Sequence, residues 1–121
     1  MMAESATQEF LERINYINEL IEDSARLHQM REILLEARAE LDPTSIHYDD
    51  DVQENEAAFI RAIEISKTIM NDLRNILPIT IKIMIENGMF NKTNPAGRIV
   101  FEAIEMVQKY FEQKMTVQWR P

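Results

Sequence analysis

The chain has 121 residues, 45% of them hydrophobic and 28% charged, with a formal net charge of −8, two histidines and no cysteine. That length supports a core and one domain over residues 1–121, the missing cysteines exclude a disulfide framework and zinc–thiolate chemistry, and the acidic balance argues against direct nonspecific nucleic-acid binding. Two glycines and four prolines leave few turning points, so a few long helices are favoured over many short strands.

The first residues show neither the basic region nor the apolar core of a signal peptide, and a cytoplasmic protein is the expectation. Ser5 or Thr7 can cap a first helix whose stripe is Phe10, Ile14, Ile17 and Ile21. Leu20, Leu27, Leu34 and Leu41 then repeat every seven residues, a seam suited to packing along a neighbouring helix. No glycine or proline stands between Ser5 and Leu41, so one helix of about 36 residues is expected. A break near Asp23 would give four helices instead of three. Asp42-Pro43 ends the helix, because the residue before proline is driven out of the helical region.

Residues 42–50 form the first turn. The second helix should start between Asp49 and Asp51 and run to Asn87. Its stripe is Phe59, Ile63, Ser66, Met70, Leu73, Leu77, Ile81 and Met84, flanked by Ile65, Ile69, Ile76, Ile79 and Ile83. Residues 79–85 also alternate at period two, the pattern of a strand. A lone strand leaves its backbone groups unsatisfied, so helix is the preferred reading, buried on most sides after Pro78 and bent at that residue. Gly88 is placed to end the helix.

Asn94 as N-cap with Pro95 at the first helical position begins a third helix of about 21 residues, with Val100, Ile104, Val107 and Phe111 as its stripe. Trp119, in the tail, reads as a lid over the core edge. The fold class is therefore all-α: an antiparallel helical bundle of three long helices.

The longest apolar run, residues 76–85, is broken by Pro78, Thr80 and Lys82, too short an apolar stretch for a membrane span. No Glu-x-x-His pair serves a di-iron centre, since Ala25 and Thr44 precede His28 and His47 by three residues. Neither a phosphate-cradling glycine loop nor a nucleophile elbow is present. His28, between Leu27 and Met30, reads as a partly covered structural histidine. Glu9, Glu12, Glu19 and Glu22 are paired at i,i+3, the spacing that holds magnesium in all-helical nucleotide pyrophosphohydrolases. The candidate facing acids, Glu64 and Asp72, do not share that spacing. These glutamates therefore read as solvated surface acids, and no metal or cofactor is expected.

Between residues 39 and 60 stand seven acids and no lysine or arginine. Such acids complement a helix start, and they could also steer a basic partner or, in a further reading, imitate the phosphates of a nucleic acid. Six methionines lie beyond the start and read as core filler or as an adaptable groove. The third helix can cover only the half of the first pair that holds residues 10–21 and 73–85. Leu27, Met30, Ile33, Leu34 and Leu35 on one side and Phe59, Ile60 and Ile63 on the other are then left as an apolar surface, with Met30, Ile33, Leu34, Phe59, Ile60 and Ile63 and the acids Asp49, Asp50 and Asp51 as the expected partner-binding residues. The functional expectation is a non-enzymatic protein–protein interaction module, a small acidic regulator, inhibitor, adaptor or chaperone-like protein. Self-association as a homodimer through the same patch is expected with it. The magnesium-dependent hydrolase and the nucleic-acid mimic are the alternatives.

Overall fold

The computed structural model describes residues 4–118, and side chains from 7 to 113. The fold is an all-α bundle of three helices, α1 Glu4–Ala39, α2 Tyr48–Glu86 and α3 Pro95–Gln118. Helix α1 runs unbroken through Asp23, so the four-helix variant is excluded. Residues 79–85 are helical, and among the described residues there is no strand. Pro78 removes one backbone donor, yet α2 continues past it to Glu86.

The helix ends follow from side chains next to them. The α1–α2 connector is tied by Asp42, which accepts from the Thr44 amide at 2.9 Å and from its hydroxyl at 2.7 Å. Helix α2 opens one residue earlier than expected, with Asp49, Asp50 and Asp51 all in its first turn, where carboxylates complement the dipole. It closes on Gly88 at φ 66°, with the Met89 amide on the Met84 carbonyl and the Gly88 amide on the Ile85 carbonyl. That pair of bonds is a Schellman cap, and it needs a left-handed residue at this place. Asn94 caps α3 by accepting from the Gly97 amide at 2.7 Å.

Contacts group the chain into two compact units. One joins the described residues up to Ile21 with those from Met70 onward, so it contains pieces of all three helices. Its core is Phe10, Ile14, Ile17, Leu20 and Ile21 from α1, Met70, Leu73, Leu77 and Met84 from α2, and Val100 and Ala103 from α3. Ile17, Leu73, Met84 and Val100 are almost wholly buried, each worth roughly 1.5–3 kcal/mol relative to exposure. Thr80 is buried with them because its hydroxyl donates to the Ile76 carbonyl at 2.8 Å, which leaves its methyl to pack. Phe90 stacks on Phe101 at 4.6 Å between centroids, and the Arg74 guanidinium lies over the Phe111 ring at 4.8 Å. The end of α2 is less enclosed than the sequence suggests. Ile79 and Ile85 are more than half exposed, because the neighbouring helices cover only the side that carries Leu77, Thr80 and Met84.

The second unit, Glu22–Ile69, is built from α1 and α2 alone. Its buried side chains are Ala62, Ser66 and Ile69. Leu27, Leu34, Leu41 and Phe59 are half-buried along the helix pair.

Candidate interaction surface

In the Glu22–Ile69 unit two polar contacts join the helices. Asn55 on α2 donates to the Leu34 carbonyl at 2.9 Å, and Arg38 on α1 donates to Glu56 at 2.7 Å. Both donors and acceptors lie near the connector, where two antiparallel helices are closest in sequence. Beside them opens a groove of about 420 Å³, lined by Leu35, Arg38, Asn55, Glu56, Phe59 and Ile60. Its walls are mostly apolar, and its polar side chains are engaged, Arg38 with Glu56 and Asn55 with the Leu34 carbonyl. Ile63, one turn after Phe59 on the same side of α2, extends the apolar row and is exposed.

Of the expected partner-binding residues, Phe59 and Ile60 line this groove. Leu34 is half-buried between the helices, and its carbonyl serves Asn55. Met30 and Ile33 are exposed, but at about 100° per residue they lie roughly 140° and 200° around α1 from Leu35. They therefore occupy the other flank of the helix pair, with Ile65 of α2 at a similar remove from Ile60. Asp49, Asp50 and Asp51 are exposed in the first turn of α2. Leu35 belongs to the expected apolar patch, whereas Arg38, Asn55 and Glu56 were not expected at the site. The opposite charges of Arg38 and Glu56, on either side of a short connector, were the one available signal for them.

The carboxylates considered for magnesium are dispersed. Glu9 pairs with Arg13 at 3.3 Å, Glu22 with Arg26 at 3.8 Å, and Glu12 accepts from Gln8 at 3.4 Å. Asp72 instead acts on Tyr16, whose phenol its charge helps to hold in the neutral form. Among the described residues no group of three or more His, Asp or Glu side chains is placed to hold a metal ion. His28 is not covered as expected. Its ring is 67% exposed, with Arg31 at 3.3 Å and Glu32 at 4.0 Å. Helical spacing put it beside the Leu27 seam, yet one residue rotates it about 100° toward solvent. Trp119 lies outside the described residues.

No helix among the described residues is long and apolar enough to cross a membrane. Comparisons with protein-family models, with curated proteins and with solved structures gave no match to this chain.

Proposed function

We propose that the protein is a non-enzymatic interaction module that works by burying the apolar flank at Leu35, Phe59, Ile60 and Ile63 against another protein. One observation carries this reading. The Glu22–Ile69 unit buries only Ala62, Ser66 and Ile69, while Leu35, Ile60 and Ile63 stay 50%, 54% and 43% exposed. A cluster of large aliphatic side chains left in water beside an apolar groove is the usual mark of a binding surface. The acids of residues 39–60 add long-range steering. Cytoplasmic location and a regulatory or chaperone-like role belong to the same proposal.

Photocrosslinking inside the source cell tests it. A photoreactive residue at position 60 is expected to capture a discrete protein. The same probe at position 11 or 79 is not, although Leu11 and Ile79 are as exposed as Ile60. Equal capture at all three positions, or none at position 60, would remove the reading.

A further inference from the structure

We propose that the occupant of this flank is a basic amphipathic helix from another protein, an inference that rests on the interaction-module reading above. The first support is internal. In the other unit, α1 and α2 are joined by a third helix, α3, which buries Val100 and Ala103 in a shared core. In the Glu22–Ile69 unit the same two helices have no third member. The groove at Leu35, Phe59 and Ile60 is lined from both α1 and α2, and the Phe59–Ile63 row offers an incoming helix anchors one turn apart.

Charge decides what kind of helix. The Glu22–Ile69 unit carries twelve Asp and Glu against five Lys and Arg, a net −7, whereas the remaining residues carry nine against eight, a net −1. The whole-chain value of −8 is thus almost entirely on the unit that lacks a third helix. Arg26 is paired with Glu22 and Asp23, and Arg38 with Glu56, so two of the five cations are already answered within their own unit. A second copy of this chain would bring together two units of net −7 each, which opposes association. A helix with apolar residues at i, i+3 or i+4, and i+7 and with Lys or Arg beside them satisfies both the trough and the charge.

The test uses the full chain and three labelled peptides of one length in fluorescence anisotropy. One has leucines at helical spacing with lysine flanks, one has the same leucines with glutamate flanks, and one has the lysine peptide's composition with scrambled leucine spacing. The lysine amphipath is expected to bind at least tenfold more tightly than either control. Leu35→Ser with Ile60→Ser should weaken it at least tenfold while circular dichroism stays unchanged. Asp49→Asn with Glu56→Gln, the first about 20° around α2 from Ile60 and the second in the groove wall, should flatten its salt dependence. Equal binding of the scrambled peptide means simple charge attraction and overturns the proposal. Equal binding of the glutamate peptide overturns the basic partner and leaves the interaction-module reading intact, as does a dimer in sedimentation equilibrium that Ile60→Asp dissociates. Absence of peptide binding overturns the proposal, and only the separate loss of crosslinking at position 60 takes the broader reading with it.

Discussion

Arg38 of α1 donates to Glu56 of α2 across 2.7 Å, with both side chains about half in water. Both residues line the groove, and each charge answers the other there. Exposed pairs of this kind contribute about 0.2–1 kcal/mol. Arg38→Ala is therefore expected to lower stability by no more than about 1 kcal/mol in urea denaturation. It should also increase affinity for a basic peptide, since Glu56 is left unpaired. A larger stability loss would mean that the ion pair, and not the apolar contacts, joins the helices there.

The two units should answer truncation differently. Leu73 has no exposed surface, and Leu73→Ala is expected to cost about 2–5 kcal/mol by lost burial and cavity formation. Ile60→Ala and Ile63→Ala remove side chains that already face water, and each should change the isolated chain's stability by about 0.5 kcal/mol or less. Chemical denaturation of the three variants side by side makes the comparison. Losses of equal size would show that the flank is packed within the free chain.

Both glycines resist alanine, for different reasons. At Gly88 the backbone is left-handed at φ 66° with open space around it, so a side chain meets only a conformational penalty. At Gly97 an added Cβ would collide with the Asn91 carbonyl oxygen. Gly97→Ala is expected to destabilise by about 1–3 kcal/mol and Gly88→Ala by about 1–2 kcal/mol. Asparagine tolerates left-handed backbone, so Gly88→Asn should recover part of that loss, whereas Gly97→Asn should not. Thermal unfolding of the four variants would expose a wrong assignment at either site.

Asp42 is fully exposed, yet its carboxyl is held below the usual carboxylate range by the bond from the Thr44 amide and then by that from the Thr44 hydroxyl. A group whose folded pKa lies below its unfolded one stabilises the fold above the unfolded value and loses that effect as pH falls through the folded value. The connector should thus loosen at acid pH before the three-helix core does. Carbon-detected titration of the Asp42 carboxyl checks this, and Thr44→Val, by removing the hydroxyl bond, should raise its pKa. An unchanged titration in that variant would remove the hydroxyl from the explanation.

Tyr16 shifts the other way. Partial burial of a residue still 42% exposed comes first, then the nearby charge of Asp72 and hydrogen bonding to it, and last the charge of Glu19, in raising the phenol above its ordinary value. The neutral phenol is the form favoured in the folded state, so its contribution is complete below the unfolded pKa and disappears as pH rises through the folded one. Asp72→Asn should lower the Tyr16 pKa in an ultraviolet titration that uses Tyr48→Phe and Tyr110→Phe to isolate the signal. No change would place the cause in burial alone.

The sequence by itself determined the three helices, their order and most of their ends. Those features depend on contacts a few residues apart: an unbroken run without glycine or proline, Asp42-Pro43 after α1, Gly88 after α2, Asn94-Pro95 before α3. It also marked Phe10, Ile14, Ile17, Leu73 and Val100 as core, because helical periodicity is local too. Only the tertiary structure decided which apolar residues find cover. Ile79 and Ile63 carry the same side chain as Ile17, and what separates them is whether another helix reaches the side of the helix on which each stands. Which members of the expected apolar patch share a groove was hidden for the same reason. Leu35 and Ile33 are two positions apart and equally apolar, and rotation about the α1 axis puts one beside Phe59 and the other on the opposite flank.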